Sequence, residues 1–225
     1  MFYLNKTDNP TIGELEQNEE FELIGELSHS HVKSFVKENI TDESSLIKYF
    51  MIYQVIMILA GLFFMSRSLI LAFKGNTEPI IYVITAIAFC FSLLIIIHEL
   101  LHALALKITG AKHISFGGSP KKFIFYAEAD KHVLNRKQFA FIALTPLIII
   151  KILSLIILIQ YINQPLLYFF ITTMSIHSLF CAGDIVMLSV FYRFPGSEIF
   201  TYDIKEKRKS YFYKTNINLQ GHKKD

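Results

Sequence analysis

Four long apolar stretches dominate the chain, separated by segments where polar and charged residues return. They run from about Tyr49 to Phe73, Pro79 to Leu106, Phe139 to Ile162 and Pro165 to Tyr192. Each reaches the roughly 20 residues that a helix needs to cross the hydrocarbon core of a bilayer. Backbone amides and carbonyls find no water there, so helix is the form these stretches must take. The pattern predicts an all-α integral membrane protein with four transmembrane helices. Residues 1–48 ahead of them are polar and acidic (Glu14, Glu16, Glu19, Glu20, Glu22, Glu26) and read as a water-exposed N-terminal extension. Residues 49–192 form the transmembrane domain, and residues 193–225 a basic tail.

Composition points the same way. Of the 225 residues, 52% are hydrophobic and 18% charged, and the mean hydropathy is +0.41. Soluble chains carry about 25% charged residues, so the lipid bilayer is the expected surrounding. A net charge of +3 is too small to suggest nucleic acid as a partner. Its distribution carries more. The connection 107–138 holds Lys107, Lys112, Lys121, Lys122, Lys131, Arg136 and Lys137, and the tail from Arg193 is equally basic, whereas 74–78 has Lys74 alone and 163–164 has no cation. By the positive-inside rule both termini and the 107–138 connection lie in the cytoplasm, with the chain multi-pass in the cell membrane. Within that connection Gly117-Gly118-Ser119-Pro120 predicts a turn. Lys121 to Ala129 alternates Phe123 and Phe125 with Ile124 and Tyr126, which predicts a short cytoplasmic strand-like segment between helices 2 and 3. Cys90 and Cys181 sit inside apolar runs and read as small core residues.

The second stretch contains His98-Glu99-Leu100-Leu101-His102, an HExxH. On a helix, positions i and i+4 differ by about 40° and 6 Å, so both imidazoles reach one Zn²⁺. Glu99 then reaches a metal-bound water as general base. Two histidines and a glutamate are costly to bury in an apolar span without a role.

A catalytic zinc needs a third protein ligand and an open position. The fourth stretch offers His177 and Asp184. At 1.5 Å per residue, His98 and Asp184 both lie about 12 Å from the cytoplasmic ends of their spans, and His177 roughly 10 Å deeper. Depth therefore favours Asp184. Gly183, without a side chain, lets a helix or a substrate approach. His177 lies on the same helical face and either lines the cavity, supporting a ligand or touching substrate, or packs as a hydrogen-bonded histidine. Lys151, deep in the third stretch, should face protein or a wet cavity. His29-Ser30-His31 is an HxH in a solvated stretch and is set aside.

These residues resemble two families. An HExxH in one transmembrane helix and a metal-binding Asp in a later one look like the site-2 protease type of intramembrane metalloprotease. The whole layout more closely resembles the small bacterial membrane proteins described as putative zincin peptidases. The elements that carry this are His98-Glu99-Leu100-Leu101-His102-Ala103, Leu144-Thr145-Pro146 opening the third helix, and Gly183-Asp184-Ile185, over roughly residues 80–210. The resemblance implies Zn²⁺ on His98, His102 and Asp184, with Glu99 catalytic. The chain departs from site-2 proteases in reading Gly-Asp where they carry Asp-Gly. The expected activity is a membrane-embedded zinc endopeptidase acting on a membrane protein or peptide substrate at the cytoplasmic side. The competing expectations are a non-proteolytic metal-binding membrane protein and a proton- or ion-coupled carrier.

Overall fold

A computed structural model of the protein describes residues 9–39, 44–119 and 124–216. Pro120, Lys121, Lys122 and Phe123, named above for the turn, the strand and the charge count, lie outside these residues, as do Lys223 and Lys224 of the tail.

Four helical spans are long and apolar enough to cross a membrane: Ser45–Phe73, Glu78–Ile108, Arg136–Gln160 and Leu166–Tyr192. The first is helix α3, begun by the Ser44 side chain, which accepts from the Ile47 amide at 3.3 Å. The second comprises α4 (Glu78–Phe89), one π-helical turn (Cys90–Leu94) and α5 (Ile95–Ile108). The third is α6 (Arg136–Gln160), opened by a capping box between Asn135 and Gln138. The fourth divides at Cys181 into α7 (Leu166–Phe180) and α8 (Ala182–Ser189). Helix α7 packs against α3, α4 and α6 and is the bundle's centre. At the α3–α7 crossing, a Cβ on Gly61 would stand 2.8 Å from Ser175 Cβ. Small residues there let two helices approach, and Ser175 Oγ donates to Met57 O at 2.7 Å. Large apolar side chains such as Ile56, Leu59 and Phe63 point outward uncovered.

Outside the bundle the structure corrects the all-α expectation. A four-stranded antiparallel sheet runs in the order β1 (Phe21–Ser28), β6 (Lys209–Thr215), β5 (Ile199–Ile204) and β4 (Leu134–Asn135). It unites the acidic extension, the basic tail and the end of the 107–138 connection. The physical reason lies in two runs that charge had obscured. Ile199-Phe200-Thr201-Tyr202 and Tyr211-Phe212-Tyr213 are aromatic and β-branched residues flanking a polar turn, which is hairpin chemistry. One face stacks Tyr202 on Tyr211 (centroids 5.3 Å apart) and Tyr213 (6.0 Å), covered by Leu15 of helix α1 (Ile12–Gln17). Tyr202 donates its hydroxyl to Glu16 Oε1 at 2.8 Å; burial first, then that carboxylate, holds its phenol well above the ordinary range. The other face packs Leu27, Ile199 and Phe212 on Phe191, at the end of the fourth span. Helix α2 (Val32–Asn39) lies against α8.

A second, two-stranded sheet pairs β2 (Ile114–Ser119) with β3 (Ile124–Ala129). Gly117 and Gly118 therefore belong to a strand, opposite Tyr126 and Phe125, instead of the predicted turn. A Cβ on Gly117 would stand 2.5 Å from the Tyr126 ring, so glycine makes room for a cross-strand aromatic.

Candidate metal centre

Helix α5 follows directly on the π turn. Such wide turns re-aim the helix that follows and recur near functional sites. Along α5, His98 and His102 are buried and face the bundle interior with their Nε2 atoms 3.1 Å apart. The break at Cys181 starts α8 and puts Asp184 in its first turn. There Asp184 Oδ2 stands 3.3 Å from His98 Nε2, and Oδ1 stands 3.4 Å from His102 Nε2. The structure thus brings the two histidines and Asp184 together.

These separations test the fit to an ion. Donors held about 2.05 Å from a tetrahedral zinc are about 3.3 Å apart. The two imidazole nitrogens, 3.1 Å apart, and the carboxylate oxygens that face them one each, at 3.3 and 3.4 Å, have spacings of that size. Asp184 Oδ2 is buried with no hydrogen-bond partner among the described residues, and a bare carboxylate oxygen there is what a cation would satisfy. The residues fit zinc.

Each histidine is held from behind. Pro146 has no amide hydrogen, so its place inside α6 frees the carbonyl four residues earlier. That carbonyl is Ile142 O, which lies 3.1 Å from His102 Nδ1. A carbonyl only accepts, so the proton sits on Nδ1 and the neutral ring turns the Nε2 lone pair to the centre. The sequence resemblance placed Leu144-Thr145-Pro146 at the opening of the third helix. The helix begins ten residues before Pro146, at Arg136, and the proline acts inside it. On the other ring, His98 Nδ1 lies 3.1 Å from His177 Nε2. His177 is fully buried and is not among the residues lining the cavity. Pro146→Ala restores a competing helical donor to Ile142 O. We expect zinc affinity to fall about 10–100-fold, as for other lost supports of metal ligands. Competition with a chromophoric chelator measures it, and an unchanged affinity would contradict the role given to this carbonyl.

A second donor group, His98, His177 and Cys181, also converges. Its thiol and the His177 ring have no exposure, and neither is among the residues that line the cavity beside Glu99. It offers no open position for a substrate, whereas His98, Glu99, Gly183 and Asp184 all face a cavity of about 570 Å³. Glu99 Oε2 is buried there without a hydrogen-bond partner among the described residues, and the carboxyl lies against the main-chain amide of Ala127 in β3. A Cβ on Gly183 would meet nothing within 4 Å. The space beside it belongs to the cavity, and no neighbouring helix uses it. Lys151 faces protein, donating to Met174 O and lying 5.4 Å from the Tyr53 ring centroid.

Comparison with known families bears on this centre directly. Residues 91–199 match the family described as putative zincin peptidase. The zincin match starts at Phe91, in the π turn, and ends at Ile199, where β5 begins. It contains His98, Glu99, His102 and Asp184, and it supports a metallopeptidase with zinc as its metal. No curated protein and no solved structure matches the chain.

Three features of the site were not read from the sequence. The Ile142 carbonyl could have been suspected, because a proline four residues on always frees one. The contact between β3 and Glu99 is tertiary. His29, set aside as part of an exposed HxH, lines the same cavity as Glu99 and Asp184; only the pairing of β1 with β6 carries it there.

Proposed function

We propose that this protein is a membrane-embedded zinc endopeptidase whose ligands are His98, His102 and Asp184. The observation that carries the reading is a cluster of donors at zinc spacing, with His98 and Asp184 facing a cavity beside a Glu99 oxygen that has no partner among the described residues. Zinc held there supplies Lewis acidity, polarising a carbonyl and lowering the pKa of water. Glu99 takes a proton from the attacking water at Oε2 and returns it to the leaving amide nitrogen as the C–N bond breaks. Strand β3 offers its main chain along the cavity, and among the described residues it pairs with β2 on one side only. An extended substrate adds to its other side, a common mode of peptide recognition.

Lysine and arginine distribution supports the cytoplasmic side as the location of this end of the bundle. The layout supports kinship with site-2 proteases, with the Gly183-Asp184 order as this chain's own variation. The metal-holding reading gives the bare Glu99 oxygen no task.

Purified protein in detergent, offered fluorescence-quenched peptides, tests this. Cleavage should disappear on treatment with 1,10-phenanthroline and return on adding zinc. Cleavage that continues in the metal-free protein would overturn the assignment.

A further inference from the structure

The cavity beside the proposed ligands has a second polar end that hydrolysis leaves unused. Among the described residues its lining carries four carboxylates, Glu99, Glu128, Asp184 and Asp203, and no lysine or arginine. Asp184 and Glu99 belong to the metal end. Glu128 comes from β3 and Asp203 from β5, and His29, just after β1, stands between them. His29 Nδ1 is 3.5 Å from Glu128 Oε2, and its Nε2 is 3.9 Å from Asp203 Oδ1. Ser210 Oγ donates to Asp203 Oδ1 at 2.6 Å and lies 3.4 Å from His29 Nε2. Ser115 Oγ donates to Glu128 Oε1 at 3.0 Å.

Glu128 is 5% exposed, and its Oε2 has no hydrogen-bond partner among the described residues. Among the described residues neither acid forms an ion pair with a lysine or arginine. A single imidazole faces the two carboxylates. A buried carboxylate short of countercharge is strongly unfavourable until a cation reaches it. The phenol of Tyr126, whose ring centroid is 4.7 Å from that of His29, feels the same field. Burial, then Glu128 and Asp203, raise its pKa despite Arg208. The position relative to the chemistry is set by β3, where Ala127 lies against Glu99 and Glu128 is the next residue. A peptide extended along β3 advances about 3.3 Å per residue, which brings a side chain near the scissile bond to this cluster.

We propose that Glu128, Asp203 and His29 form a specificity subsite that receives a lysine or arginine side chain of the substrate close to the scissile bond. The guanidinium or ammonium donates to the bare Glu128 Oε2 and to Asp203, completing their hydrogen bonds. This rests on the peptidase reading given above.

The test uses the full-length, zinc-loaded protein in detergent and quenched peptides that differ only in carrying Arg, Lys or Gln at one scanned position. At one position Arg and Lys should raise kcat/KM by about tenfold or more over Gln, the scale of a charge-assisted hydrogen bond. Glu128→Gln and Asp203→Asn should each bring that ratio toward one. Should Glu128→Gln fail to fold, as thermal melting would reveal, Asp203→Asn decides alone, since its carboxylate is 28% exposed and less built into the core. Equal rates for Arg and Gln at every position, or a preference that survives the variants, would overturn the subsite. Binding of the same peptides to Glu99→Gln, followed by fluorescence anisotropy, separates the two claims. Selective binding of the Arg peptide without cleavage by wild type refutes the peptidase and keeps the subsite. Cleavage without charge preference does the reverse.

Discussion

Glu99→Gln is expected to leave zinc bound and to lower peptide hydrolysis by about 10²–10⁴-fold, the range that a positioned general base contributes. The side chain keeps its size and its place against Ala127 but can no longer accept the proton. Glu99 belongs to none of the convergent donor groups, so the metal should stay when the proton acceptor goes. Zinc by mass spectrometry and turnover of a quenched peptide, on one preparation, read both halves. A variant that cleaves at the wild-type rate would remove Glu99 from the mechanism. One that loses its zinc would make Glu99 a ligand.

Asp184→Ala is expected to do the opposite, losing the metal and the activity together. The carboxylate supplies two of the three short donor separations, 3.3 and 3.4 Å to the two imidazoles. Its loss leaves two histidines, one short of the three protein ligands that catalytic zinc sites hold. The affinity should fall by more than the about 10–100-fold that loss of a supporting partner costs. His177→Ala marks that lower scale, because it removes a contact to His98 Nδ1 and leaves every proposed ligand in place. Competition titrations of the two variants should therefore rank Asp184→Ala well below His177→Ala. Equal losses would mean that Asp184 is not a ligand.

Much of this arrangement was legible because membranes constrain sequence strongly. A run such as Tyr49 to Phe73 can satisfy its backbone in lipid only as a helix, and its observed end is the same residue. The ends of the other three spans fall within three residues of the apolar boundaries, for the same reason. Counting depth along two such helices singled out Asp184, and the structure sets it beside His98 and His102.

The four-stranded sheet was not legible. Its strand β1 pairs with β6 near the other end of the chain, Phe21 opposite Thr215, and no local pattern encodes a partner that distant. Glu22 and Glu26 on β1, and Lys209 and Lys214 on β6, looked like solvated charge. They are ion pairs across the two strands, Lys209 with Glu26 at 2.6 Å and Lys214 with Glu22 at 3.1 Å. The acidic head and basic tail thus complement each other in one sheet. That pairing carries His29 to the cavity, where an exposed HxH gave no hint of it.

The central claim is that zinc is held by two imidazoles and a carboxylate. Zinc K-edge X-ray absorption of the purified, full-length protein tests it most directly. The expected spectrum has a shell of nitrogen and oxygen at about 2.0–2.1 Å with the outer scattering of two imidazole rings. A sulfur at about 2.3 Å, placing the metal on His98, His177 and Cys181, would contradict it, and so would a protein that binds no zinc.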